Sequence, residues 1–155
     1  MIKTKDVAYG ALVAALYVAL TLPLGSLATQ PFFQIRPGEG LCLLPLLFPS
    51  SIIGLAVGCF LVNVLTSSVI DACIGMCLTL VAAILTRLIK NPYLGIIPPV
   101  IINALGVPLI YILMGYDMAF WYTFFQVLLS QTVWVSALGL PVYFLVKKIL
   151  AKKEQ

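Results

Sequence analysis

Arg36 and Glu39 stand three residues apart in the stretch Gln34-Ile35-Arg36-Pro37-Gly38-Glu39-Gly40, within a chain that has few charges. A carboxylate here can accept two parallel N–H donors from a planar ligand, while a guanidinium donates to oxygen atoms. Pro37 fixes the backbone, and the positive end of a following helix would favour a negative charge at Glu39. The pair therefore predicts a binding site for a flat polar molecule. The alternative is a structural pair in which the two charges only neutralise each other.

Asp71 and four amides add polar groups to segments that are otherwise apolar. Ionisable side chains in or beside membrane spans are costly and usually have a function. Asp71 follows Thr66-Ser67-Ser68 at a predicted helix start, so helix capping or the helix dipole explains it equally well without a ligand. Hydrogen bonds between helices explain any single amide. A polar pocket that opens outward would collect the whole set, which is Arg36, Glu39, Asp71, Asn63, Asn103, Gln126 and Gln131.

The composition places these residues in a membrane protein. Of 155 residues, 63% are hydrophobic and 9% are charged, and the mean hydropathy is +1.15. Such a chain has too little polar surface to cover a soluble globule, so we expect one all-α domain in a bilayer. The formal charge of +4 is concentrated at both ends and in one loop. This distribution is typical of the positive-inside pattern of the cytoplasmic membrane rather than of a nucleic-acid site.

Proline, glycine and polar residues divide the chain into six predicted spans. Both ends are basic, so an even number of spans would place both in the cytoplasm, together with the loop of Arg87 and Lys90. The apolar stretch that contains Pro45 and Pro49 is therefore divided into a short helix and a longer one. The N-terminal apolar run has no cleavage pattern, so we interpret it as a retained first helix. The spans are expected at 6–22, 39–48, 50–66, 70–88, 98–114 and 118–146.

Several kinds of site are missing from the sequence. The chain has four Cys and no His, and nothing near Cys73 and Cys77 completes a zinc site. Free thiols that pack as small apolar groups are the simpler interpretation. No His is present for acid–base chemistry, and no glycine loop would cradle a phosphate. These absences weigh against a membrane metalloprotease or a His-based hydrolase but do not exclude every enzyme, and we expect no cofactor in this chain and no ATP hydrolysis of its own.

Small residues recur along one side of the first predicted helix. Ala11, Ala15 and Ala19 follow a four-residue spacing, with Gly10 and Ala14 in the adjacent row. Such a strip lets another helix approach closely. That helix can belong to this chain or to a partner protein, and the spacing favours neither.

Aromatic residues gather at the predicted outer level of the spans. An interfacial belt explains them as well as a platform on which a flat ligand stacks. They are Phe32, Phe33, Tyr111, Tyr116, Trp121 and Tyr122.

An ordered set of short stretches extends through nearly the whole chain. They are Ala14-Ala15-Leu16-Tyr17-Val18-Ala19-Leu20-Thr21, Phe33-Gln34-Ile35-Arg36-Pro37-Gly38-Glu39, Leu44-Pro45, Gly54-Leu55-x-x-Gly58-Cys59 with Asn63, Ile70-Asp71-x-x-x-Gly75 with Leu78-Thr79-Leu80, and Pro98-Pro99-Val100-Ile101-Ile102-Asn103-Ala104. In this order they resemble the QueT family of queuosine-precursor transporters. That family supplies substrate-binding S components to energy-coupling factor (ECF) transporters.

The resemblance implies a six-helix membrane protein that binds a 7-deazaguanine base from outside. Uptake would need a transmembrane T component and two cytoplasmic ATPase subunits, which use the ATP. S components are thought to topple in the membrane and so carry the occupied site inward. The strip Ala11, Ala15 and Ala19 matches the small-residue motif through which S components dock on the T component.

The resemblance also implies site residues. Arg36 and Glu39 match the family's Arg-x-x-Glu element. Asn63, Asp71 and Asn103 match its third-helix amide, the aspartate before its fourth helix and its fifth-helix amide.

This chain departs from the family pattern at two places. Pro37-Gly38 stands where the family usually has Ile-Ser, and Ser130-Gln131 stands where it tends to have Gly-Glu. Because Gln131 cannot neutralise an amine, we expect aminomethyl cations to gain little over the neutral nitrile form of the ligand.

The chemistry of a deazaguanine suits these side chains. Its N1–H and 2-amino group are two donors that the Glu39 carboxylate can pair with, and Phe32 and Phe33 could cover the base. Asn103, Asn63 and Gln131 are expected to give supporting contacts. The alternatives are an S component for another small metabolite such as a vitamin or purine-like base, a stand-alone transporter, and a membrane scaffold that binds no solute.

Overall fold

The computed structural model describes residues 4–30, 34–117 and 119–153, and helices form most of them. The structure is 85% helical, and the described residues contain no strand, so the predicted all-α membrane fold is confirmed. The α-helices in these ranges are α1 Thr4–Thr21, α2 Ser51–Thr66, α3 Val69–Ile89, α4 Ile97–Leu113, α5 Phe120–Trp134 and α6 Leu140–Lys153.

Four helical stretches in the described ranges are long and apolar enough to cross a bilayer. α1 continues through the 3-10 helix Leu22–Ala28, which kinks at Gly25, where φ is +54°. α5 and α6 join through a π-helical turn at Val135–Gly139, so the predicted last span is one helix that continues to Lys153. α2 is also apolar, but its 16 residues give only about 24 Å of helix. The four stretches are Thr4–Ala28, Val69–Ile89, Leu94–Leu113 and Phe120–Lys152.

The chain between α1 and α2 returns along α1 through residues 37–48, which we call the return segment. The Gly38 N–H donates to Thr21 Oγ1 at 3.1 Å near the end of α1, whereas the Phe48 ring stacks on Tyr9 near its start, with centroids 5.3 Å apart. The single short helix predicted at 39–48 is replaced here by two 3-10 helices, Pro37–Leu41 and Leu44–Leu46. Two prolines in the segment lack the N–H that an α-helix needs, which accounts for this difference.

Successive segments run in alternating directions, which gives six passes through the bundle. α2 starts beside the start of α1, because Gly54 lies against Gly10. α3 starts where Asn63 of α2 approaches Asp71, and it runs antiparallel to α2. Contacts close to the end of α3 and at its middle show that α4 runs antiparallel to α3. Buried clusters shared by α4 and the following chain show that α5 runs antiparallel to α4. α1 therefore begins and α6 ends at one end of the bundle, which we call the basic end. Its basic residues are Lys5, Arg87, Lys90, Lys147, Lys148 and Lys152.

Glycines on α2 allow α1 and α2 to pack closely. A Cβ at Gly54 would overlap the carbonyl oxygen of Gly10, and one at Gly58 would come within 2.8 Å of the Tyr17 Cβ. The side of α1 that faces the interior carries Val13, Tyr17 and Thr21, which are buried at four-residue spacing. Close backbone approach of this kind is how small residues stabilise helix pairs in membranes.

Ala11, Ala15 and Ala19 are all exposed along α1. Gly54 and Gly58 of α2 meet the adjacent row, which contains Gly10 and Ala14, and the role of the exposed strip in docking stays a prediction. An exposed groove of about 540 Å³ follows the same side, between α1 and α2 near the basic end. It is lined by Ala11 and Ala14 among others. Small side chains therefore form part of the outer surface of this helix pair.

Candidate charged site between helices and return segment

Three ionisable side chains and one tyrosine meet inside the bundle, away from the basic end. Arg36 directly precedes the return segment and Glu39 lies in its first turn, and their exposed fractions are 5% and 1%. Tyr17 reaches them from α1, and Asn63 connects them from α2 to Asp71 at the start of α3. Burial of this many polar groups in a helical bundle requires partners for each of them.

Glu39 has partners at both carboxylate oxygens. The Tyr17 hydroxyl donates to Oε1 at 2.6 Å, and the Cys42 thiol donates to Oε2 at 3.0 Å. Arg36 Nε lies 3.6 Å from Oε1, which makes an ion pair. An ionised carboxylate has about four lone-pair positions, so these contacts leave part of its acceptor capacity unused.

Arg36 makes its hydrogen bonds in the cluster through one nitrogen atom, in addition to the ion pair of its Nε. Its Nη2 donates to Tyr17 Oη at 3.1 Å, to Asn63 Oδ1 at 3.0 Å and towards Cys59 Sγ at 3.5 Å. Its Nε is buried without a hydrogen-bond partner. A buried guanidinium with an unused donor is suited to bind an oxygen or ring nitrogen acceptor of a ligand.

Asp71 joins the cluster from the first turn of α3. Its carboxylate Oδ1 lies 3.5 Å from Asn63 Nδ2, and 6% of the residue is exposed. The helix is capped by Ser68, whose Oγ accepts the Asp71 N–H at 3.1 Å. Ser68 and Asp71 have the spacing of a capping box, so helix capping and the helix dipole account for the Asp71 carboxylate as well as a ligand does. With Arg36, Glu39 and Asp71 ionised, the formal charges +1, −1 and −1 sum to −1.

A second polar group lies between the chain before the return segment and helices α4 and α5. Gln34 Nε2 donates to Tyr111 Oη at 2.6 Å, and Trp134 Nε1 donates to the Gln34 carbonyl oxygen at 3.2 Å. Ser130 Oγ donates to the same carbonyl oxygen. This group was not predicted, although Gln34 stands only two positions before Arg36 of the Arg-x-x-Glu element.

Asn103 and Gln131 occupy one level of the α4–α5 contact. Val107 packs with Val127 on one side of this level, and Val100 packs with Val135 on the other. Because the two helices are antiparallel, Asn103 and Gln131 each stand one turn from the first of these pairs. Both are buried, and Gln131 Oε1 has no hydrogen-bond partner.

The remaining predicted residues divide into three groups. Phe32 and Phe33 lie outside the residues that the structure describes. Gln126 lines a shallow surface cavity of about 360 Å³ with Trp121 and Tyr122, whose rings are exposed, which is typical of an interfacial belt. Tyr111 differs from these aromatics because it is buried and hydrogen bonded to Gln34.

Tyr17, which contacts both Arg36 and Glu39, is the most important site residue that the sequence did not predict. α1 is apolar on most sides, so no polar face identified the side that carries it. The site can recognise a ligand by hydrogen bonds, because it consists of carboxylate, guanidinium and amide groups. Within the described ranges, no three His, Cys, Asp or Glu side chains come together to hold a metal ion.

Comparison with known proteins gives one match. A sequence model described as the QueT transporter family covers residues 7–148, which include Arg36, Glu39, Asp71 and the four amides predicted in the spans. No curated protein and no solved structure is similar enough to match the chain.

Proposed function

Because this chain belongs to the QueT transporter family, we propose that it is the substrate-binding S component of an ECF importer for a 7-deazaguanine base. The observation that carries the proposal is the buried cluster of Arg36, Glu39 and Asn63 in a membrane protein of a transporter family. Ionisable side chains are kept inside a membrane bundle mainly where they bind or move a solute.

The ligand assignment follows from donor and acceptor chemistry. Glu39 accepts the N1–H and one 2-amino N–H of the base, and Arg36 Nε, which lacks a hydrogen-bond partner, donates to an acceptor on the ring. Asn63, Asp71, Asn103 and Gln131 give supporting contacts. Phe32 and Phe33 cover the base.

The orientation in the membrane follows from the charges. The basic end faces the cytoplasm, so both termini are cytoplasmic and the buried cluster lies in the outer half of the bundle. A site at this depth receives its ligand from outside. The protein must then change its position or shape before the ligand reaches the cytoplasm.

An ECF importer uses ATP, and because the chain has no phosphate-binding loop, partner proteins hydrolyse it. The T component docks on the exposed strip Ala11, Ala15 and Ala19, and two cytoplasmic ATPase subunits supply the energy. The chain itself carries out binding rather than catalysis and needs no cofactor.

Thermal unfolding of the purified protein with candidate ligands tests the substrate assignment. A ligand at 100 times its Kd stabilises the folded state by about 2.7 kcal/mol. We expect this shift with the 7-cyano and 7-aminomethyl forms of 7-deazaguanine, and none with unrelated vitamins. A shift with a vitamin alone would indicate another substrate, and no shift with any solute would indicate a scaffold.

Uptake into vesicles tests the partnership. Vesicles that contain this chain, a T component and both ATPase subunits should accumulate the base when ATP is supplied. Vesicles with this chain alone should not. Equal uptake in the two preparations would contradict the S-component role and indicate a stand-alone transporter.

A further inference from the structure

Three hydrogen bonds hold Gln34 between α4 and α5. Its main-chain carbonyl oxygen accepts hydrogen bonds from Ser130 Oγ and from Trp134 Nε1, and its side-chain Nε2 donates to Tyr111 Oη at 2.6 Å. Only 2% of the residue is exposed. These contacts leave the side chain little freedom to rotate.

The hydrogen bonds also determine which way the Gln34 amide points. A tyrosine hydroxyl has one proton, and Tyr111 donates it to the Thr29 carbonyl oxygen at 2.7 Å. Tyr111 Oη can therefore only accept from Gln34, so the amide nitrogen must face it. The oxygen Oε1 then lies on the other side of the amide, where it is buried and has no hydrogen-bond partner.

Gln131 presents the same feature from α5. It directly follows Ser130, which binds the Gln34 main chain, and 1% of it is exposed. Its Oε1 is likewise buried without a hydrogen-bond partner. It stands one turn after Val127, which belongs to the same buried cluster as Tyr111, the hydrogen-bond partner of Gln34.

Two unsatisfied acceptors in one part of a membrane bundle destabilise the folded protein unless a donor reaches them. We propose that the side-chain oxygens of Gln34 and Gln131 form an acceptor pair for two N–H groups on one edge of the ligand. This inference rests on the proposed function and adds Gln34 to the site. It assigns the pair to an edge other than the one that binds Glu39.

The chemistry of the base identifies that edge and a consequence for selectivity. When Glu39 takes N1–H and one 2-amino N–H, the remaining donors are the second 2-amino N–H and the N–H of the five-membered ring. Both lie on the edge that also carries ring nitrogen N3. In a nucleoside, the five-membered-ring nitrogen bears the sugar and has no N–H. The acceptor pair therefore selects free bases over forms substituted at this nitrogen.

Calorimetric titration of the purified protein tests this with two ligands. They are 7-cyano-7-deazaguanine and its derivative methylated on the five-membered-ring nitrogen. The wild type should bind the free base at least about tenfold more tightly, because methylation leaves a buried acceptor unpaired. Gln131→Leu and Gln34→Leu should each weaken binding of the free base about tenfold and reduce its advantage over the methylated form. Gln126→Leu, on the exposed side of α5, is the matched control and should bind like the wild type.

Stability without ligand separates this role from a structural one. Gln131→Leu removes an acceptor that has no partner, so it should unfold at the same temperature as the wild type or a higher one. A large loss of stability would show a structural role and overturn the proposal. The methylated ligand tests the wild type without any substitution, and equal affinity for the two ligands would also overturn it. If the wild type binds no deazaguanine, the proposed function fails as well. If it binds and both variants keep wild-type affinity, only this inference fails.

Discussion

The hydroxyl of Tyr17 lies 2.6 Å from Glu39 Oε1 and 3.1 Å from Arg36 Nη2, so one side chain of α1 contacts both charges of the Arg-x-x-Glu element. It donates its proton to the carboxylate and accepts from the guanidinium. The return segment is thus attached to α1 through the charged pair. Positioning of the pair therefore depends on an aromatic residue that stands 19 positions before Arg36.

Tyr17→Phe tests this attachment. Loss of the hydroxyl leaves Glu39 Oε1 with only the longer contact to Arg36, so we expect the free energy of unfolding to fall by about 1–3 kcal/mol. Thermal unfolding in detergent measures the change. Tyr9→Phe is the control, because Tyr9 keeps its ring stacked on Phe48 without its hydroxyl. Equal stability of the two variants would refute the role of the Tyr17 hydroxyl.

Arg36→Met removes the positive charge from the cluster. Two buried carboxylates then lack their cation, so we expect a loss of about 3–5 kcal/mol in the free energy of unfolding. Arg36→Lys should fall between the wild type and Arg36→Met, because an ammonium cannot contact Tyr17, Asn63 and Glu39 in the same planar geometry. Lys90→Met, at the exposed basic end, provides the control in the same unfolding assay. An Arg36→Met protein as stable as this control would contradict the account.

Gly54→Ala tests the close contact between α1 and α2. The added methyl group would overlap the Gly10 carbonyl oxygen, and separation of the helices should cost about 1–3 kcal/mol. Gly95→Ala is a matched change, because its nearest neighbours are side-chain atoms at 3.4 Å. Chemical or thermal unfolding should show a clear loss for Gly54→Ala alone. Similar losses for both would mean that the contact at Gly54 is not special.

Ala15→Leu tests partner docking. The residue is exposed, so the larger side chain should leave folding and ligand affinity unchanged while it prevents close approach of a partner helix. We expect co-purification with the T component and ATP-dependent uptake to decrease at least about tenfold. Cys73→Leu enlarges an exposed small residue on α3 and should keep both activities. If Ala15→Leu assembles and transports like Cys73→Leu, the strip is not the docking surface.

The helices could be predicted because apolar composition indicates where they lie, and proline and glycine indicate where they end. α1 ends at Thr21, close to the predicted end at 22, since Pro23 and Gly25 interrupt regular helix. The even number of membrane spans that the charge pattern indicates stays a prediction. The direction of the return segment was predicted, but its secondary structure was not. Prolines in a short apolar stretch are compatible with one short α-helix and with two 3-10 helices alike.

Contacts between distant residues could be predicted only in part. Arg36, Glu39, Asn63 and Asp71 are polar in apolar surroundings, which distinguished them in the sequence, and the structure brings them together. Tyr17 and Gln34 were not distinguished, because a tyrosine is common in membrane spans and Gln34 lies in a stretch read as a polar loop. Their roles depend on packing between helices, which is a property of the folded chain. The exposure of the alanine strip also required the structure, since the spacing alone permits either side.

The affinity of the purified protein for 7-cyano-7-deazaguanine, compared between the wild type and Glu39→Gln, tests the central claim most directly. Glu39→Gln keeps the size of the side chain but replaces one acceptor oxygen and removes the charge. Unfolding without ligand must first show that the variant folds, and Gln126→Leu serves as the binding control. We expect the wild type to bind the base and Glu39→Gln to bind it roughly 10- to 100-fold more weakly. A folded Glu39→Gln protein with wild-type affinity, or a wild type that does not bind the base, would contradict it.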